Sequence, residues 1–264
     1  MITHFKDIEL QTLSIEGTKQ IYADILQFPI TKRTDTYIQF QVTSFTTISF
    51  TEVLESIIPN HFAFQVPTSS FEEVANWLMK SGVHILKDTE GETIIYHSPV
   101  SKAVYFKDND GNILEIITRD YVNENVLPKC GPLQVMYVRE LGFPVTHVPT
   151  FREWLKDKFY MKTIQDAETF NFVIGGTAHA VVVKEGRPWI PIGMRALSPN
   201  MKVTFGTPDL DFINELRQDK TAILIDDGVL FTQGTYTLEI EYTPEFSEII
   251  LSQLNLPLSQ NTKV

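Results

Sequence analysis

One order of elements occurs twice before residue 120: a strand, a helix and three further strand-like runs. His4-Phe5-Lys6-Asp7-Ile8-Glu9-Leu10 reads as a strand and leads to a helix over Thr18–Gln27. His61-Phe62-Ala63-Phe64-Gln65-Val66-Pro67 reads as a second such strand, with a helix from about Ser70. In that helix Phe71, Val74, Ala75, Leu78 and Met79 recur at helical spacing, Ser69 and Ser70 offer caps, Glu72 and Glu73 suit the first turn, and Gly82 ends it. The runs after the first helix are Ile30–Thr34, Tyr37–Thr43 and Thr46–Val53. Those after the second are His84–Lys87 with Thr93–Tyr96, then Lys102–Lys107, then Asn112–Thr118. A βαβββ unit leaves one sheet face bare, so two units side by side can curl into a cup with a cavity inside.

Tyr121–Leu133, rich in Asn, Pro and Gly, reads as a linker, and the pattern then returns in weaker form. Strands are expected at Leu133–Arg139, Phe170–Gly175, His179–Lys184, Met201–Thr207, Thr221–Asp226, Val229–Gln233 and Tyr236–Tyr242. Helices are expected at Thr150–Lys158, capped by Thr150, and at Asp209–Asp219. Four related units predict an α+β fold of tandem βαβββ repeats, forming open cup-like mixed sheets with helices outside. The expected division is a first module over 1–120 with a metal site, a linker over 121–132, a degenerate second module over 133–250 and a tail over 251–264.

Chemistry concentrates between His97 and Glu115, where His97, Tyr105 and Glu115 fall on neighbouring strands joined by the Asp108-Asn109-Asp110-Gly111 turn. Glu115 lies among Ile113, Leu114, Ile116 and Ile117, and a carboxylate in such a strand is costly unless paired or bound to a cation. His4 and His61 open matching strands of the repeat. On the His61 strand, Phe62, Phe64 and Val66 face one way and His61, Ala63 and Gln65 the other. Two imidazoles and one carboxylate on one sheet form a ligand set for a divalent metal with open positions, so His4, His61 and Glu115 are the expected ligands. Glu239 repeats the setting of Glu115, but Lys202 stands where the second module would need its histidine, which predicts a Lys202–Glu239 charge pair in place of a metal. The Asp108–Gly111 turn lacks the remaining ligands of a calcium loop and reads as a hairpin turn. No motif surrounds His84, His147 or His179, which are expected to be structural.

The repeat, with His at two strand starts and Glu on the last strand, resembles the vicinal oxygen chelate superfamily, which includes glyoxalase I, extradiol dioxygenases, fosfomycin-modifying enzymes and bleomycin-binding proteins. Ile95, His97, Val104, Tyr105, Asp108, Gly111 and Glu115 are similar to the extradiol dioxygenase signature, with Asn109 where that signature has Pro. The resemblance implies His4, His61 and Glu115 as metal ligands, Tyr105 as a hydrogen-bond donor to a substrate oxygen, and His97 beside the cavity. It implies Fe2+ foremost, with Mn2+, Zn2+ or Ni2+ as alternatives, and ring cleavage of a catechol-like substrate. Extradiol enzymes carry a further His on the strand before the second ligand His, and Phe45-Thr46-Thr47-Ile48-Ser49-Phe50-Thr51 has none. Glyoxalase-type members use a fourth ligand, a Glu on that strand. Glu52 would fill this role only after a register shift of three, since Ser49 aligns with Glu115. A glyoxalase-like lyase, a fosfomycin-type thiol transferase and a metal-free small-molecule-binding protein are the alternatives.

Composition narrows the partners. A net charge of −11 disfavours nucleic acid and anionic membrane surfaces. Cys130 is the single cysteine, so no internal disulfide forms, and neither a signal peptide nor a spanning apolar run is visible. The expectation is a cytoplasmic protein, monomer or homodimer, with a small-molecule substrate.

Overall fold

The computed structural model describes residues 1–257. The first unit comprises β1 (His4–Thr12), α1 (Ile15–Lys19) running on into a π-helical turn (Gln20–Ile25), β2 (Ile30–Arg33), β3 (Tyr37–Gln41) and β4 (Thr47–Glu52). The second comprises β5 (His61–Gln65), α2 (Phe71–Lys80), β6 (His84–Ile85), β7 (Ile95–Ser98), β8 (Ser101–Lys107) and β9 (Ile113–Arg119). The third comprises β10 (Tyr137–Val145), α3 (Val148–Phe159), β11 (Lys162–Thr163), β12 (Phe170–Gly175) and β13 (Ala178–Lys184), followed by a small hairpin of β14 (Pro188–Trp189) and β15 (Met194–Arg195). The fourth comprises β16 (Met201–Thr207), α4 (Leu210–Leu216), β17 (Ile223–Ile225), β18 (Gly228–Gln233) and β19 (Tyr236–Tyr242), and α5 (Glu248–Gln253) follows it.

In every unit the first and last strands pair in parallel: β1 with β4, β5 with β9, β10 with β13 and β16 with β19. The units then join by antiparallel pairing of first strands, β1 with β16 and β5 with β10. The first unit therefore shares a sheet with the fourth, in the order β17-β18-β19-β16-β1-β4-β3-β2. The second shares one with the third, in the order β11-β12-β13-β10-β5-β9-β8-β6. Both sheets are mixed, as expected, but the first two units do not share one. The stretch 1–120 is divided between the two sheets.

Strand alternation sorts the side chains. In the second sheet Phe62, Phe64, Leu114, Ile116, Val104 and Phe106 enter the main core, which also takes Phe5, Ile8, Phe205 and Leu238 from the first sheet. The helices add Tyr22, Val74, Leu78, Phe151, Leu155 and Phe212 to that core. Ala63, Ala103, Tyr105, Ile113 and Ile117 turn to the opposite, concave face. Local signals mostly held. α2 buries Phe71, Val74, Ala75 and Leu78, although Ser70 makes no capping bond and instead donates to Gln134 Oε1 at 2.8 Å. α3 begins before Thr150, because His147 Nδ1 caps it by accepting from Thr150 N at 3.2 Å. Residues read as the start of a tail continue α5, and Leu251, Leu254 and Leu256 pack with Val122, Leu127 and Phe246; residues 258–264 lie outside the described residues. Among the described residues no helix is long and apolar enough to cross a membrane.

Burial ties stability to pH at His4, which is 2% exposed. Desolvation holds its imidazole down at about 3, so between about pH 6.5 and 3 the unfolded chain binds a proton that the folded chain refuses. Stability contributed there falls on acidification. Asp108, pushed up to about 6 by burial, works the other way between about pH 6 and 3.8. His4→Leu should therefore lose roughly 2 kcal/mol less than the parent chain between pH 7 and pH 5, read from urea midpoints. Equal losses would show that His4 is protonated in the folded state.

Candidate metal centre

The concave face of the second sheet carries a cross-strand row. Glu140 on β10 stands opposite Ala63 on β5, Ala63 opposite Glu115 on β9, and Glu115 opposite Tyr105 on β8. Two bulges set this row. Register shifts between Val138 and Glu140, leaving Arg139 as the extra residue, so Glu140 falls in phase with Ala63 and not with the core residue Val138. A second shift between Tyr96 and Ser98 frees His97 from the β7–β8 ladder. Its Nε2 lies 2.7 Å from the Tyr105 hydroxyl and 3.7 Å from Glu115 Oε1.

His61 opens β5, held by an asparagine cluster. Asn60 Oδ1 accepts from His61 N at 2.8 Å, Asn60 N donates to Asn112 Oδ1 at 2.7 Å, and Asn60 Nδ2 donates to Gly142 O at 3.1 Å. Through its side chain and its backbone, Asn60 thereby ties the starts of β5 and β9 to β10. The turn before β9 is a hairpin turn, as expected: Asp108 Oδ1 accepts from Asp110 N and Asn112 N, and Oδ2 accepts from Tyr22 and Asn112 side chains.

His61 Nδ1 lies 3.1 Å from Ile113 O; donation along that contact leaves the Nε2 lone pair free, 3.5 Å from Glu115 Oε2. Ligand atoms of His61, Glu115 and Glu140 all lie within 4.8 Å of one another. Two ligands on opposite sides of an ion at about 2.2 Å are roughly 4.4 Å apart, so a divalent ion fits with small side-chain adjustment. Glu115 is 2% exposed and its Oε1 has no hydrogen-bond partner, which leaves a buried oxygen available to a cation. Burial and the facing Glu115 push the Glu140 carboxyl up, against the pull of Arg139 and Arg119. Arg139 Nε lies 3.3 Å from Glu140 Oε1. Burial, then the charge of Glu115, raises the Tyr105 phenol, which stays protonated and can donate to His97. These groups line a cavity of about 250 Å3 walled by Ile117, Phe170, Phe172, Val181, Trp189 and Ile190, with Arg119 and Arg187 as its other charges.

The structure brings His61, Glu115, Tyr105 and His97 together, and it does not bring His4. That residue lies in the other sheet, where its ring stacks on Phe246 at 4.3 Å and its Nδ1 is 2.9 Å from Thr3 Oγ1. The cause is the pairing of the first unit with the fourth. Glu140 takes the third place instead. Its signal was the one that marked Glu115, a carboxylate in the apolar run Val135-Met136-Tyr137-Val138-Arg139-Glu140-Leu141, but the expected strand ended one residue short of it. Glu52 also sits in the other sheet and accepts from Ile15 N at 2.7 Å, capping α1. β4 lies there too, so the missing histidine on that strand has no bearing on this cavity. His179 on β13, opposite Glu140 in the ladder, is buried on the cavity's own sheet with Nε2 unpartnered, and burial holds its imidazole well below the usual range.

Lys202 and Glu239 do pair, at 2.5 Å. Their sheet repeats the geometry closely. Register on β1 shifts between Phe5 and Asp7, which puts Asp7 opposite Thr204 and Thr204 opposite Glu239. Asp7, Lys202 and Glu239 thus occupy the ladder positions of Glu140, His61 and Glu115. Asp7 is held by Thr47, Ser49 and Gln39.

No family model matches the chain, and no curated protein matches it. Solved structures do. A Bacillus subtilis protein described provisionally as a dioxygenase superposes over 97% of this chain and 91% of its own, at 14% identity and a TM-score of 0.65. Two glyoxalase I variants from Zea mays superpose over 90% of this chain and 92% and 93% of their own, at 12% and 11% identity and a TM-score of 0.57. The likeness is one of fold and extends over both sheets.

Gly142 tests the framework. A Cβ there would meet Asn60 Oδ1 at 2.6 Å and the Trp189 ring at 3.0 Å. Gly142→Ala should lower stability by about 1–3 kcal/mol and shift Trp189 emission. Unchanged emission and stability would show that the Asn60 cluster and the Trp189 strap yield freely.

Proposed function

We propose that this chain, whose fold is that of a tandem-module vicinal oxygen chelate protein, is a metal-dependent enzyme acting on a small substrate that chelates the ion. The observation that carries this reading is the convergence of His61, Glu115 and Glu140 in one cavity, beside the hydrogen-bonded His97–Tyr105 pair. A divalent ion held there would supply Lewis acidity and a template for two substrate oxygens. The fourth protein position is apolar: two residues along from Glu140 the ladder meets Val181, as two along from His61 it meets Glu115. Three protein ligands leave room for a bidentate substrate.

The chain's own groups divide the remaining work. Tyr105, kept protonated, donates a hydrogen bond to a substrate oxygen. His97 Nε2, within 2.7 Å of that phenol and only partly buried, takes or returns a proton. Trp189, packed 5.2 Å from the His61 ring, and Phe172 keep water from the ion. The match of His97, Tyr105 and Glu115 to the extradiol pattern favours ring cleavage of a catechol-like substrate with Fe2+. Glu140 favours a second reading. One imidazole with two carboxylates is a harder ligand set than two imidazoles with one, which suits Mn2+ and proton-transfer chemistry of the lyase or thiol-transferase kind.

Protein purified without chelator should hold one ion per chain and not two, because Lys202 supplies the cation in the other cup. Glu140→Gln and His61→Ala should lower metal content at least tenfold, and His4→Gln should leave it unchanged, read by elemental analysis. Retention of no metal under any loading condition would leave the binding-protein alternative. Tyr105→Phe should keep the ion and slow turnover by roughly 10²–10⁴-fold. Oxygen uptake with a catechol separates the dioxygenase reading from the lyase one.

A further inference from the structure

Two arginines approach Glu140, and only one is used up by it. Arg139, 3% exposed, spends its guanidinium on Glu140 Oε1, Gln65 Oε1, the Tyr137 hydroxyl and the Tyr121 hydroxyl. Arg119 reaches Glu140 only at 3.9 Å through one terminal nitrogen, and its other terminal nitrogen is buried with no hydrogen-bond partner. Strand alternation puts Arg119 on the face of Glu115 and Ile117, and all three line the cavity. The Arg119 side chain is 16% exposed, but a charged guanidinium with one nitrogen buried and unpartnered is costly to leave so, and an anion in the cavity would complete it.

The cavity around it is otherwise shaped for a ring. Ile117, Phe170, Phe172, Val181 and Trp189 are its apolar walls, and about 250 Å3 holds one ring with small substituents. At its mouth the exposed Arg187 guanidinium lies over the Phe170 ring at 4.5 Å, a second positive charge on the path in. Charge bookkeeping agrees: Arg119 and Arg187 balance Glu115 and Glu140 among the lining residues, so a bound divalent ion leaves a surplus for an anionic substrate.

We propose that Arg119 receives a carboxylate of the substrate, and that the substrate class is a small carboxylated aromatic, its ring between Phe172 and Trp189. This deepens the metal-enzyme reading and rests on it for the far end of the substrate, where two oxygens face His61, Glu115 and Glu140. The Arg119 contact itself needs no metal.

The test uses calorimetric titration of the full chain with two pairs of probes. Metal-free protein is titrated with benzoate and with benzyl alcohol; Mn2+-loaded protein is titrated with 3,4-dihydroxybenzoate and with catechol. In each pair the carboxylate should bind roughly 10- to 100-fold more tightly, the scale of a charge-assisted contact. Arg119→Gln should erase the preference, Arg119→Lys should retain part of it, and Arg187→Gln, at an exposed position, should weaken carboxylate binding severalfold without erasing it. Equal affinities within both pairs for the parent chain would overturn the proposal, whatever the variants do. So would an Arg119→Gln chain that is folded by circular dichroism and keeps the full preference. A carboxylate preference in a chain that retains no metal would support the Arg119 contact and end the metal reading. Metal retention with no preference would do the reverse.

Discussion

The antiparallel ladder between β5 and β10 is the contact on which the site depends. It joins the second unit to the third and brings Glu140 against Ala63, one strand from Glu115. The bulge at Arg139 is part of that contact. Were the same sequence paired in a regular ladder without the bulge, the alternation that buries Val138 in the core would bury Glu140 there as well, and Arg139 would face the cavity. A single inserted residue therefore decides which charge meets Glu115. Asn60 reinforces the same junction, since its side chain and backbone bridge Gly142, His61 and Asn112 in one buried cluster.

Placing two carboxylates on the strands that flank a shared middle strand poses an electrostatic problem, and the two cups solve it differently. In the second sheet the pair is partly offset by Arg139 and Arg119, while Glu115 Oε1 stays unpartnered and burial raises Glu140. In the first sheet the ammonium of Lys202 stands at the ladder position of His61 and meets Glu239 directly, and Asp7 is satisfied by hydroxyl and amide donors. One cup carries its own cation. The other offers a lone pair and two carboxylates, the arrangement that an external ion would complete.

Several parts of this site were legible locally. Period-two alternation assigned His61 and Ala63 to one face and Phe62 and Phe64 to the other, and the apolar neighbours of Glu115 marked it as a charge with a purpose. The Asp108–Gly111 turn announced Tyr105 and Glu115 on adjacent strands, and they stand opposite each other in the ladder. Lys202 and Glu239 could be paired by analogy within the repeat. Glu140 and Arg139 were not legible, because a bulge leaves no mark in composition and the expected strand stopped at Arg139. Arg119 lay one residue beyond the expected strand Asn112–Thr118 and carried no local mark of a cavity group.

The sequence by itself determined the four βαβββ segments, the two faces of the His61 strand and the candidate groups His61, His97, Tyr105 and Glu115, consequences of short-range periodicity and desolvation cost. Which unit pairs with which was decided only by the tertiary structure. Pairing of the first unit with the second was the natural assumption and would have put His4 beside His61. The chain instead pairs the first unit with the fourth and the second with the third, so His4 is buried against Phe246 and Glu140 comes beside His61 and Glu115. Bare sheet faces and first-strand edges are similar in all four units, so local pattern does not distinguish the pairings. The choice rests on long-range contacts that no single segment encodes: the two antiparallel ladders, the bulges within them and the shared core that both sheets fill.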